Sequence, residues 1–376
     1  MKNHNWTDCW LAYPLIREEA GRTVTVASDF DGAVVFHAFR EFARGMSGLY
    51  QRTVEPGVNA DVRFVRDDTL HPEGYRVRAA HGTCEIRSGG ASGILYGVFA
   101  LLRRLQTEQC SFDELAWETE AAPSNALRML IHWDNLPGDI ERGYAGRSLF
   151  FADNEVLVNE RTAAYARLAA SVGINGVVIN NSNVEGAAAE LITPRYFPAL
   201  RRMQEVFAGW GIRLFLSVEF TAPMLLGGLD SADPCAGPVL AWWKKKADEV
   251  WNALPGLGGF MVKADSEGRE GPHSYGRTHA DGANALADAV APHGGTIIWR
   301  CFVYNCQQDW RDTGCAWSRA RPAASANGAG RASITSARMC ASSQHRRWTV
   351  CFRSMWRMRR GSASNFPKTC PRSKAR

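Results

Sequence analysis

Acidic residues are missing from one end of the chain. None of the 38 Asp and Glu falls in residues 313–376, a stretch of 64 positions that carries 14 Lys and Arg. Residues 1–312 hold the other 30 basic residues against all 38 acids, so the formal charge of +6 is the sum of a body at −8 and a tail at +14. The overall sign therefore does not describe the body, and a polyanionic partner is not indicated for it. The ten cysteines form no Cys-x-x-Cys pair, and no His spacing of the zinc type accompanies them. This excludes the ordinary zinc modules and predicts no metal. No apolar run approaches the roughly 18 residues of a membrane span. The opening MKNHNWTDCWLAYPLIREEAGR is broken by charge too often for a signal peptide. These absences imply a cytoplasmic protein with reduced thiols and no membrane partner. No Gly-x-Gly-x-x-Gly or Walker-type loop follows any apolar run, which argues against a nucleotide site and leaves no cofactor expected.

What is present is an ordinary globular composition, 45% hydrophobic and 10% aromatic, in a chain of 376 residues with room for two or three domains. Residues 1–120 mix short strand-like runs (Thr23 to Ala27, Ala33 to Phe36, Val62 to Val65, Tyr75 to Ala79) with a helical pattern from Gly93 to Leu105. This predicts a small N-terminal α/β domain. A polar joint at Ala121-Ala-Pro-Ser-Asn125 separates it from a different pattern.

From Arg128 onward, continuous apolar runs start at 128, 176, 213, 259 and 296, with amphipathic stretches between them such as Arg161 to Val172, closed by Gly173. Buried strands alternating with helices predict a parallel sheet covered on both faces. Each run ends in polar or aromatic side chains: Trp133-Asp134-Asn135, Asn180-Asn181, Glu219, Lys263 to Glu267 and Arg300 to Tyr304. Functional groups at the ends of many strands favour a (β/α)8 TIM barrel over a doubly wound sheet, which gathers its site at one switch point. The barrel is expected to be incomplete, with about five βα units. At a mean spacing of 42 residues between strand starts, three further units would run past the 376 residues present.

Three constellations carry chemistry. In Val262-Lys263-Ala264-Asp265-Ser266-Glu267-Gly268, a carboxylic acid beside a cation at a strand end can serve as a proton donor; a solvated loop is the plainer reading. In Trp133-Asp134-Asn135, the indole can act as a platform for a sugar face or as ordinary core. In Trp299-Arg300-Cys301-Phe302, an arginine inside an apolar strand can bind a carboxylate bidentately or close an internal salt bridge.

Together with Glu141-Arg-Gly-Tyr-Ala-Gly146, Tyr165 to Asn181, Tyr275-Gly-Arg-Thr-His-Ala-Asp-Gly-Ala-Asn284, Gln308-Asp-Trp-Arg-Asp312 and Asp8-Cys-Trp-Leu-Ala-Tyr-Pro14, these segments resemble the microbial α-glucuronidases of glycoside hydrolase family 67 over residues 1–312. The resemblance implies a cytoplasmic inverting hydrolase with a small N-terminal α/β domain (1–120 here), a central (β/α)8 barrel, of which this chain is expected to hold part (121–312), and a helical C-terminal domain that often makes a dimer. The implied substrates are xylooligosaccharides carrying α-1,2-linked 4-O-methylglucuronic acid, within xylan degradation. It implies Glu267 as general acid, Lys263 and Arg300 as holders of the glucuronate carboxylate, and Trp133 and Val184 as apolar lining. The small-molecule substrate would be the partner, with no nucleic acid involved, and the family's homodimer would be lost with its C-terminal domain.

Inversion needs a second carboxylate, about 6.5–9.5 Å from the first, to activate water. The resemblance places that base beyond the fifth strand, in the acid-free tail, so no general base is expected in this chain. Residues 313–376 can be a basic tail that binds nucleic acid, a disordered extension, or a gene read in the wrong frame. Codon arithmetic favours the last. His345-Arg346-Arg347-Trp348-Thr349, back-translated with allowed codons and shifted by two nucleotides, can yield Pro-Met-Asp, a motif of the family at this stage of its barrel. The alternative to an impaired hydrolase is a non-catalytic carbohydrate- or nucleic-acid-binding protein with a degenerate barrel.

Overall fold

The computed structural model describes residues 11–301 and two short stretches, 332–334 and 356–358. The first elements are β1 (Thr23–Ser28), α1 (Ala33–Tyr50), β2 (Thr53–Pro56), β3 (Val62–Arg66), β4 (Tyr75–Ala80), β5 (Thr83–Ser88), α2 (Ala91–Glu108) and β6 (Trp117–Pro123). The apolar run at Ala33–Phe36, expected as a strand, is instead the first turn of α1. Its pattern continues through Ala38, Phe42, Met46 and Leu49, all buried, at a spacing only a helix can bring to one face. The polar joint is strand in its first half, because β6 continues through Pro123. This sheet has the order β6-β4-β5-β3-β1-β2, with β15 (Trp356–Met358) antiparallel to β6 at its edge. Helices α1 and α2 pack so closely that a Cβ on Gly45 would lie 2.3 Å from Leu102 Cδ2.

The second group comprises β7 (Met129–Ile131), β8 (Phe151–Ala152), β9 (Glu155–Val156), α3 (Glu160–Ser171), β10 (Gly176–Val178), α4 (Phe197–Gly209), β11 (Arg213–Val218), α5 (Ala222–Leu225), α6 (Gly237–Ala253), β12 (Gly259–Ala264), α7 (His279–Val290), β13 (Thr296–Cys301) and β14 (Ala332–Ile334). Strands β7, β10, β11, β12 and β13 pair in that order, all parallel, at the five places expected from the sequence, and β14 pairs parallel to β13. Helix starts follow local chemistry. Asn159 and Thr278 each close a capping box, on α3 and α7, and Gly173 turns the chain after α3 at φ 78°. The disorder expected for residues 313–376 falls mostly outside the described residues. Within that segment β14 and β15 are described, each as a short paired strand.

Two faces of the parallel sheet differ. Leu214, Leu216, Phe260, Val262, Ile297 and Trp299 join the main core, whereas Val178, Phe215, Met261 and Ile298 form a separate buried cluster with Leu127 and Met129. Because side chains alternate along a strand, Ser217, Lys263 and Arg300 share the face of Phe215, Met261 and Ile298, one step toward the C-terminal strand ends. Lys263 pairs with Arg300 in register. The two groups of elements are locked together by buried ion pairs: Arg167 to Glu41 at 2.7 Å, and Arg128 to Glu73 at 2.8 Å.

Candidate active site

Five apolar strands carry their polar residues to one end, and the side chains singled out in the sequence meet there. Lys263, the last charge of β12, is almost wholly buried, and its Nζ donates to Glu267 Oε2 and to Asn183 Oδ1. Asn183 Nδ2 donates to the same Glu267 oxygen at 3.0 Å, and Arg142 approaches Glu267 Oε1 at 3.6 Å. Arg300, on β13, donates to Ser182 Oγ. Its guanidinium carbon lies 5.2 Å from the centroid of the Trp133 ring, and Lys263 Nζ lies 5.9 Å from the same ring. Both cations thus sit over the indole, at cation–π distance. Val184 is buried, and its carbonyl accepts from Arg269 Nη1 at 2.6 Å. Val184 and Glu267 line the same cavity, of about 710 Å³, with Glu219, Met224 and Leu225.

The electrostatics follow from these contacts. The Lys263 hydrogen bond, helped by Asn183, holds the Glu267 carboxyl below the usual carboxylate range against the opposing effect of burial. Burial in turn lowers Lys263, and Arg300 and Arg269 add to that, while Glu267 resists it. Glu219 behaves oppositely, since burial pushes its carboxyl up despite a 2.9 Å contact with Arg269.

The loop after β12 has unusual backbone. Asp265 and Glu267 adopt φ 53° and 54°, left-handed values that a non-glycine residue holds only when its surroundings enforce them. Asp265 is held by His273, whose Nδ1 lies 2.7 Å and backbone nitrogen 3.3 Å from Oδ2. Gly271 packs on Asp265 so closely that a Cβ there would meet its Cγ at 2.4 Å. Asp265, His273 and His279 also bring one possible metal-ligand atom each within 4.8 Å of one another. Within this cluster His273 meets Asp265, and Trp299 Nε1 donates to His279 Nδ1 at 3.1 Å.

The structure therefore brings together Glu267, Lys263, Arg300, Trp133 and Val184. It adds Asn183, Ser182, Arg142, Arg269 and Glu219, which sequence reading did not assign to the site. The acid-free segment expected to lack a base lies outside the described residues, apart from β14 and β15.

Comparison with known proteins identifies a family. A model of the glycosyl hydrolase family 67 middle domain matches residues 106–326, ending inside the segment set apart by its charge. The chain is 41% identical over 237 residues to a probable alpha-glucuronidase A of Aspergillus terreus, covering 63% of this chain and 27% of that protein. It is 40% identical over 253 residues to the alpha-glucuronidase of Hypocrea jecorina, covering 64% of this chain and 29% of that protein. The chain thus spans less than a third of the length of these curated relatives. Among solved structures, a family GH138 enzyme targeting pectin rhamnogalacturonan II shares the fold at a TM-score of 0.51 and 14% identity, over 78% of this chain and 36% of that one. A β-N-acetylhexosaminidase from Bacteroides fragilis does so at 0.50 and 14%, over 75% and 62%. The family match covers more than half of the chain, which belongs to glycoside hydrolase family 67.

Proposed function

We propose that this site is that of an α-glucuronidase acting on glucuronoxylan fragments, built on part of a (β/α)8 barrel. The observation that carries the reading is the placement of two cations, Lys263 and Arg300, over the Trp133 ring and beside Glu267. A uronic acid presents a fixed negative charge next to an apolar ring face, and this arrangement answers both. Lys263 and Arg300 bind its carboxylate, Trp133 and Val184 line the sugar, and Glu267 protonates the leaving oxygen.

In the unliganded site Lys263 keeps Glu267 ionised, which is the wrong state for an acid. A bound uronate competes for Lys263 and adds its own negative charge, and both effects return a proton to Glu267. Inversion then needs a base on the opposite ring face. Residues 313–376, where the family resemblance places it, contain no Asp or Glu. This chain is accordingly expected to bind the uronate and to hydrolyse it poorly.

Calorimetric titration with aldotriuronic acid tests the site. Lys263→Met removes a charge-assisted hydrogen bond of about 1.5–3 kcal/mol and should weaken binding about tenfold or more. No binding by the unmodified chain at millimolar ligand would refute the reading. Substantial release of glucuronic acid, abolished by Glu267→Gln, would refute the impairment while upholding the site.

A further inference from the structure

Glu267 occupies a left-handed backbone position on a loop that leaves β12 and turns twice before α7, so something outside the loop must fix where its carboxyl points. Two residues later, Arg269 reaches back across the strand ends. One nitrogen, Nη1, donates to the Val184 carbonyl at 2.6 Å and to Glu219 Oε2 at 2.9 Å, and Nη2 meets Glu185 Oε1 at 2.5 Å. Its own amide donates to Ser266 O at 3.1 Å, closing the turn that contains Glu267. One guanidinium thus ties the loop after β12 to the loop after β10 and to the end of β11. Glu185 is mostly exposed and contributes little, because water screens it. Glu219 is nearly buried, and a buried carboxylate is retained at a desolvation cost that only a close cation offsets.

On one side of Glu267 stand Lys263 and Asn183. On the other side opens the cavity that Glu267 lines together with Glu219 and Glu270. Left to its backbone, the loop could turn the carboxyl either way. We propose that Arg269, anchored on the buried Glu219, is the positioning residue that sets Glu267 against Lys263 and Asn183 at the wall of this cavity. The inference rests on Glu267 being the proton donor, yet its own signature is where the loop sits, which is measurable without substrate.

The planar group fixes Nη1, which meets both Val184 O and Glu219, by holding it rigid beside the Nη2 contact to Glu185; a lysine at position 269 keeps the charge but loses that second nitrogen and the rigid plane. Arg269→Lys and Glu219→Gln are therefore informative variants, since both keep near-native volume. The readouts are carbon-13 titration of the Glu267 carboxyl, assigned by its loss in Glu267→Gln, and amide hydrogen exchange across residues 264–271.

The expected result is that in both variants the Glu267 titration moves up toward the ordinary carboxylate range as the Lys263 contact is lost. Exchange across 264–271 should rise by about tenfold or more, the equivalent of one charge-assisted hydrogen bond, while exchange in α1 and α2 stays unchanged. An unchanged Glu267 titration in both variants would overturn the proposal. A rise in exchange spread evenly over the whole chain would also overturn it, by making the pair a general brace. Aldotriuronic acid titration of the unmodified chain decides the α-glucuronidase reading separately, so a failure of that reading and a failure of this one leave different records.

Discussion

Uronate binding to this chain should take up a proton, and the source of that proton uptake is Glu267. In the free site Lys263 donates to Glu267 and holds its carboxyl low. When a uronate carboxylate engages Lys263 and Arg300, Glu267 loses much of that bond and gains a negative neighbour. The bond is charge-assisted, worth about 1.5–3 kcal/mol, but the Glu267 side chain is 35% exposed, so screening reduces the effect to about 1 kcal/mol. The sign follows from linkage. A carboxyl whose pKa is depressed in the free protein and higher in the complex binds more protons in the complex, so affinity increases as pH falls. That gain is complete only below the depressed free-state pKa, so from neutral pH to about 4.5, above the range where the sugar's own carboxyl protonates, the dissociation constant of aldotriuronic acid should fall by about twofold. Calorimetry in two buffers of different ionisation enthalpy should show fractional proton uptake, and Glu267→Gln should abolish both effects. Affinity that is independent of pH, or that retains its dependence in Glu267→Gln, would refute the exchange of partners at Lys263.

Other substitutions test the surrounding architecture. Arg300→Lys keeps the charge but loses the planar group that lies over Trp133, and should weaken aldotriuronic acid binding about tenfold by calorimetry. Gly271→Ala places a methyl 2.4 Å from Asp265 Cγ and 2.5 Å from its backbone nitrogen. It should destabilise the chain by about 1–3 kcal/mol, read as a lower melting temperature. Arg167→Met strands the buried Glu41 carboxylate and should cost about 3–5 kcal/mol in denaturant titration, most of it recovered by adding Glu41→Leu.

The parallel sheet was legible in the sequence because its strands are buried on both faces. Gly259–Ala264 is buried at every position, so an apolar run interrupted only by Lys263 announces it without any need for alternation. Ala33–Phe36 was misread for a related reason: four apolar residues in a row carry no period, and only the longer spacing to Phe42 and Met46 reveals the helix. Lys263, Glu267, Arg300 and Trp133 stood out as charges or a large ring where strands end. Asn183, Ser182 and Arg142 did not, since short polar residues and an exposed arginine in loops have many uses, and their role appears only through contacts across 84, 118 and 125 positions of chain. Glu219 was visible as a strand-end polar residue and Arg269 as a charge just beyond one, but their pairing was not. Their significance lies in the left-handed turn at Glu267, which no sequence pattern of non-glycine residues announces.

The central claim is that Lys263 and Arg300 form a carboxylate site on the Trp133 face beside Glu267. It is tested most directly by comparing the affinity of aldotriuronic acid with that of its carboxyl-reduced counterpart, identical except that the uronate is replaced by the neutral sugar. The account predicts that reduction weakens binding by about a hundredfold, the loss of two charge-assisted contacts partly offset by solvation. Equal affinity for the two ligands would contradict it.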